Sequence, residues 1–279
     1  MRITEDLIKQ YRDYLYEEER SVATINKYIC DLHKLMDYAG RRNLDKKLLI
    51  SYKKALQKSG KYKTSSINSF IVAANSFFQY MKLYSLRIKT FKIQKEVFAL
   101  EDRDLSKKEY EKLVRTALML GKDRLAMVMQ TMCATGIRIS ELEAVTVESI
   151  KKGMITVCCK GKERQVLMPR SLQVKLMDYI RRKDIRYGKV FCTSSGKAVN
   201  RSNIWREMKL LCKEAGVDEE KVFPHNLRHL FAKTFYNGNK DIAKLSNILG
   251  HSNIETTRIY IIEPRKKYQE QIDRLGLVT

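Results

Sequence analysis

Apolar residues recur through the first ninety positions at the three- and four-residue spacing that places side chains on one face of an α-helix. Leu7, Tyr11, Tyr14 and Leu15 form a stripe behind a candidate Thr4 cap, and Ile25, Tyr28, Ile29, Leu32, Leu35 and Met36 form a second, closed by Gly40. Leu48, Leu49, Tyr52 and Leu56 form a third before Gly60. Ile67, Phe70, Ile71, Ala74, Phe77, Phe78 and Met81 form the fourth. No proline interrupts them, since Pro169, Pro224 and Pro264 all lie late in the chain. The pattern predicts a small domain of four short helices over residues 1–95.

The charged stretch 96–105 reads as a linker. Ser106 and Glu109 then give an S-x-x-E cap signature, with Leu105 and Tyr110 placed for a hydrophobic staple, and a second domain spans 106–279. Its pattern is mostly helical with one β interruption. Met154–Cys159, a turn at Lys160-Gly161-Lys162, and Arg164–Met168 predict a hairpin with a polar tip. Helical spacing resumes around 172–180, 204–212, 225–236 and 242–249. A further short helix is expected at Ser252, where Ser252 and Glu255 repeat the cap signature. Near the end, residues 264–276 read as a helix with Tyr268, Ile272 and Leu275 on one face. The fold class is mainly α with a small β-hairpin.

Charge changes the picture. Lys and Arg total 55 against 32 Asp and Glu, a formal charge of +23, and the apolar fraction of 44% excludes a disordered basic tail. The excess is uneven: from Ser51 to Lys95 there are ten basic residues and no acidic one, interleaved with aromatics such as Tyr52, Tyr62, Phe77 and Phe78. A one-signed stretch of this kind suggests a polyanionic partner, with nucleic acid ahead of an anionic membrane surface. Lys53, Lys54, Lys61, Lys63 and Lys82 are the candidate DNA contacts. The plainer reading, a solvated face over an aromatic core, is compatible with the same residues. No apolar run approaches the roughly 20 residues needed to cross a bilayer, and MRITEDLIKQ lacks a secretion pattern. The expectation is a cytoplasmic, nucleoid-associated protein with no membrane partner. Six cysteines without a CxxC pair imply reduced thiols. Asn226 stands where an HExxH zinc helix has its glutamate, so no metal or other cofactor is expected.

Four segments carry chemistry. Arg138 follows a glycine turn in TGIRISEL, at the start of a helix, and Lys160 sits at the hairpin tip. His225 and Arg228 lie at i and i+3 in HNLRH, hence on one helical face, and His251 in LGH precedes Tyr260 by nine residues. Two guanidiniums can hold the non-bridging oxygens of a phosphodiester, histidines can move a proton near neutral pH, a lysine can protonate a leaving oxygen and a tyrosine can attack phosphorus. Taken singly, each residue has a duller reading as a surface, turn or core side chain. The segment 241–260 also reads as a helix-turn-helix with Leu249-Gly250 as its turn, which would make it a DNA reader.

Together and in this order, TGIRISEL at 135–142, KGKERQVLMP at 160–169, HNLRH at 225–229 and LGHSNIETTRIY at 249–260 resemble the tyrosine site-specific recombinases of the phage-integrase and Xer type. The resemblance runs over nearly the whole chain. It implies a four-helix SAM-like core-binding domain followed by a catalytic domain of the DNA breaking-rejoining fold. It also implies catalytic roles for Arg138, Lys160, His225, Arg228, His251 and the nucleophile Tyr260. The hairpin is one residue tighter than the family's common G-K-G-x-K-E-R form, which leaves Lys162 as the alternative to Lys160. No arm-binding domain of the lambda type is expected ahead of the helical region.

The implied reaction is DNA strand exchange through a 3′-phosphotyrosyl link without metal, ATP or cofactor. The implied substrate is double-stranded DNA with inverted half-sites. A homotetramer would hold two duplexes, with the helix at 264–276 docking on a neighbouring protomer, and a monomer off DNA is compatible with this. The role would be integration or excision of a mobile element, or Xer-like resolution. Two rivals stand beside it: a type IB topoisomerase-like relaxing enzyme, and a DNA-binding regulator of the same fold without cleavage.

Overall fold

The computed structural model describes residues 1–93, 104–159, 161–193, 196–197, 199–262 and 265–277, without the side chains of Cys159, Lys162 and Lys267. The chain divides into two compact units, Met1–Lys95 and Glu96–Thr279. Of the expected linker, the part up to residue 103 lies outside the described residues.

The first unit is built on α1 (Glu5–Glu17), α2 (Val22–Ala39), α3 (Lys46–Lys58) and α4 (Thr64–Tyr80). Every stripe turns inward, and Tyr11, Leu32, Leu49, Ile71, Phe77 and Phe78 are fully buried. Burying a side chain of this size contributes about 1.5–3 kcal/mol, which holds together helices too short to persist alone. The cap reading is met at Thr4, whose Oγ1 accepts from Leu7 N at 3.3 Å; Asp45 does the same for Leu48 N at 2.7 Å.

After α4 the chain passes through a 3₁₀ turn, Tyr84–Leu86, into an extended strap over 87–93. Asparagine side chains of α4 hold the strap as a neighbouring β-strand would. Asn75 donates to Ile88 O at 2.8 Å and accepts from Ile88 N at 2.9 Å; Asn68 does the same with Phe91 at 2.9 and 2.7 Å. The match is geometric, since two helical turns rise about 10.5 Å and three extended steps cover about 10 Å. From α3, Lys46 donates to the carbonyls of Ser85 and Arg87, and Lys53 to that of Lys89 at 2.6 Å. Lys53 also lies 3.9 Å over the Phe91 ring. Of the five lysines expected to face DNA, Lys53 is thus engaged within its own unit, whereas Lys54, Lys61, Lys63 and Lys82 are exposed.

The second unit is organised around α6 (Asp123–Thr135), which is buried from Leu125 to Met132 and packed by α5 (Lys107–Met119), α8 (Arg170–Arg182), α9 (Arg201–Ala215) and α10 (Pro224–Asn239). Ser106 and Glu109 form the reciprocal capping box expected at the start of α5. After α6 come a 3₁₀ helix, Ile139–Ala144, and α7 (Val147–Lys152). Strands β1 (Met154–Cys159) and β2 (Lys162–Leu167) pair antiparallel with Cys159 opposite Lys162. The turn is therefore two residues long, and Gly161 at φ +73° supplies its left-handed position.

Beyond α10 lie α11 (Ile242–Leu249), α12 (Glu255–Arg258) and α13 (Arg265–Asp273). Ser252 does not cap α12. Asn253 takes that part, its Oδ1 accepting from Glu255 N at 2.9 Å, because an Asx side chain reaches the backbone two residues on. The helix-turn-helix reading of 241–260 is also corrected, since α12 is a single turn and too short to lie along a groove. No described residue of α13 is buried, Ile272 being 60% exposed; the helix ends at Asp273, short of the expected 276, so Leu275, 62% exposed, lies past its end. Among the described residues no helix is long and apolar enough to cross a membrane, and Cys30, Cys133, Cys192 and Cys212 are free thiols.

Candidate active site

Two helices end where the site begins. α6 closes at Gly136 and α11 at Gly250, both left-handed, with φ +67° and +65°. Neither tolerates a Cβ: at Gly136 it would come 2.5 Å from Phe231 Cδ1, and at Gly250 2.2 Å from Arg164 Cδ. The last turns of a helix carry unpaired carbonyls and partial negative charge. Both ends point theirs at Arg228 of α10, whose Nη1 donates to Gly136 O at 2.5 Å and Nη2 to Leu249 O at 2.8 Å. Arg228 is 1% exposed. These two helix ends account for a buried guanidinium that, among the described residues, has no carboxylate as a hydrogen-bond acceptor.

His251 follows Gly250, and its tautomer can be read from its partners. Arg228 Nη2 lies 2.9 Å from His251 Nε2, and a guanidinium cannot accept, so Nε2 accepts. The proton is then on Nδ1, which meets the buried Thr257 Oγ1 at 2.9 Å. Burial, reinforced by the Arg228, Arg138 and Arg164 charges, pulls the His251 pKa down to about 4, so the ring is neutral at physiological pH.

Arg138 opens the 3₁₀ helix two residues beyond Gly136. Glu141, 4% exposed at its side chain, accepts from Arg138 N at 2.8 Å and Arg138 Nη1 at 2.9 Å, and from Arg164 Nη2 of β2 at 2.7 Å. One buried carboxylate thus fixes two guanidiniums. Arg138, His225 and Arg228 line a cavity of 850 Å³, closed on another side by Arg201, Ser202 and Trp205 of α9.

Tyr260 sits just past α12, 2% exposed, in a small apolar cluster with Ala232, Leu245 and Leu249. Its hydroxyl lies 3.5 Å from His225 Nε2, within electrostatic reach of the Arg228 guanidinium. The rings of His225, His229 and His251 surround it at centroid distances of 5.8, 5.1 and 5.8 Å, that of His251 stacked at 10°. Burial first, then the Arg228 charge, lowers the His225 pKa, so this ring too is neutral and able to accept a proton.

The structure therefore brings Arg138, His225, Arg228, His251 and Tyr260 together. Lys160 lies outside the described residues. Sequence reasoning passed over Glu141, Arg164, Thr257 and His229 as parts of the site. Only Glu141, three residues after Arg138, had a local signal.

The residues 103–266 match the model of the phage integrase family, and 8–83 match that of its N-terminal SAM-like domain. The chain belongs to the phage integrase family. It is a tyrosine recombinase, and its activity is that of the family, site-specific DNA recombination. It is 28% identical to tyrosine recombinase XerA of Pyrococcus furiosus over 98% of this chain and 95% of that protein. To XerD of Yersinia pestis it is 29% identical over 91% of each. The fold is shared with crystal structures of XerA recombinase (TM-score 0.54, 23% identity, 98% of each chain) and of a lambda integrase fragment (TM-score 0.72, 15% identity, 92% of this chain and 94% of that one). The latter is a dimer bound to a core site.

Proposed function

We propose that this integrase-family protein exchanges DNA strands at inverted half-sites through a covalent link to Tyr260. The phenol oxygen attacks the scissile phosphorus, the bond to the 5′ oxygen breaks, and a 3′-phosphotyrosyl ester forms. His225 Nε2 takes the phenol proton, and Lys160 returns one to the leaving 5′ oxygen. Arg138 and Arg228 hold the non-bridging oxygens and stabilise the charge that develops on them. His251 joins them once the phosphate displaces its contact with Arg228, because an anion beside the ring favours its protonated form. The ester keeps the energy of the broken bond, so rejoining needs no external source.

The observation carrying this reading is the buried Tyr260 hydroxyl placed 3.5 Å from His225 Nε2, among the same rings and guanidiniums that line the site. At 3.5 Å the proton-transfer contact is long, as such contacts often are before substrate tightens them. The exposed face of α13 supports docking on a neighbouring protomer, and hence a tetramer on two duplexes, with 1–95 as the DNA-binding domain and 106–279 as the catalytic one. Lys54, Lys61, Lys63 and Lys82 are proposed phosphate contacts. The charge of +23 supports a cytoplasmic, nucleoid-associated protein, serving a mobile element or Xer-like resolution.

The test is Tyr260→Phe on a nicked suicide duplex. DNA binding is expected to persist and the covalent protein–DNA band to vanish. A band with that variant would remove Tyr260 from the nucleophile's role, and relaxation of random supercoiled plasmid by the unaltered protein would favour the topoisomerase.

A further inference from the structure

Asp104 is the first described residue after the stretch that joins the two units in sequence, and α10 holds its carboxylate. Oδ2 accepts from Lys233 Nζ at 2.7 Å, and Oδ1 lies 3.3 Å from His229 Nδ1. His229 is one turn along α10 from His225, with a side chain only 19% exposed. Its ring stands 5.1 Å from the Tyr260 ring at 58°. One imidazole therefore touches both Asp104 and the ring of the nucleophile.

That segment has little regular structure of its own. α12 is one turn, followed by single turn bonds from Tyr260 N to Thr257 O and from Ile261 N to Arg258 O, both 3.0 Å. A turn this short is weakly held by its backbone, so the phenol's direction depends on what packs around it. His225 and His251 have nitrogens committed to the reacting groups. His229 has its polar contact on Asp104 and its ring against that of Tyr260, a buttress that leaves the chemistry to others. Misplacing a reacting atom by about 1 Å can cost as much as 10²-fold in rate, which makes such a buttress consequential.

We propose that Asp104 is a positioning residue for strand cleavage, acting through His229 on the Tyr260 ring, so that seating Asp104 on α10 sets the nucleophile. The inference rests on Tyr260 being that nucleophile, and the test separates the two. With the full-length protein and a suicide duplex, Asp104→Ala should slow covalent adduct formation about tenfold while DNA affinity changes less than twofold. Asp104→Asn, which keeps an acceptor for His229, should recover most of the rate. In a Tyr260→Gly background, hydrogen peroxide added as the nucleophile replaces the phenol, and there Asp104→Ala should have no effect because nothing remains to be positioned. An unchanged adduct rate in Asp104→Ala, or peroxide cleavage slowed as much as phenol cleavage, overturns the proposal. Adduct formation by Tyr260→Phe would instead overturn the nucleophile assignment, whatever Asp104 does.

Discussion

A guanidinium taken out of water without an anion against it is normally costly. Arg228 escapes much of that cost because two helix C-termini supply the compensating partial charge, and both carbonyls also fix the plane of the fork. Neutral His251 completes the set, and its titration should be visible in stability. Its folded pKa of about 4 lies below the 6.5 of an ordinary histidine, so between those values the unfolded chain binds more protons than the folded one. Stability therefore falls as pH drops from about 6.5 towards about 4, and levels off below. Burial lowers the pKa of His225 and His229 as well, adding slope of the same sign. Melting temperature followed across this window should show the decline, and His251→Gln should flatten it; an equal slope in the variant would assign the effect elsewhere.

At the scale of elements, the strap over 87–93 is held by side chains, which gives it a distinct signature. Asn75→Ala removes both bonds to Ile88 and should cost about 1–2 kcal/mol. Hydrogen exchange should show the Ile88 amide losing protection while the interior of α4 keeps its own. Lys53→Ala should loosen the same strap, whereas Lys63→Ala should leave it intact and reduce the salt dependence of DNA binding by about one phosphate. Equal salt slopes for the two variants would place both lysines on DNA.

The same strap marks where sequence reasoning stopped. The four helical stripes, the hairpin and the Ser106–Glu109 box are local patterns, and periodicity alone reveals them. An asparagine on a helix looks like surface until the chain returns thirteen or more residues later to use it. The site divides likewise. Five of its six expected residues meet, because they stand in short ordered motifs. The carbonyls of Gly136 and Leu249 have no side-chain signature at all. Arg164 reaches Glu141 across 23 positions, and Asp104 reaches His229 from the far side of the whole catalytic core. Ser252 misled because its neighbour Asn253 was the better-placed acceptor.

Considered as a whole molecule, the chain keeps one element unspent. α13 brings Ile272 to the surface, with Leu275 and, at 82%, Leu277 exposed beyond its end. An apolar edge of that kind is expected to be covered by a partner. Removing residues 264–279 should leave DNA affinity intact and abolish the pairing of two duplexes, measured by light scattering of the protein–DNA complex. Pairing that survives the truncation would return α13 to its own protomer.

The burial of Tyr260 carries a last consequence. Its ring is part of a hydrophobic cluster and its oxygen is the reagent, so folding and reactivity draw on the same eight side-chain atoms. Drift at Ala232, Leu245 or Leu249, none of which touches DNA chemistry directly, would tilt the phenol as surely as a change in the cage around it. Inheritance of turnover in such an enzyme is therefore guarded partly by residues that any survey of polar groups would pass over.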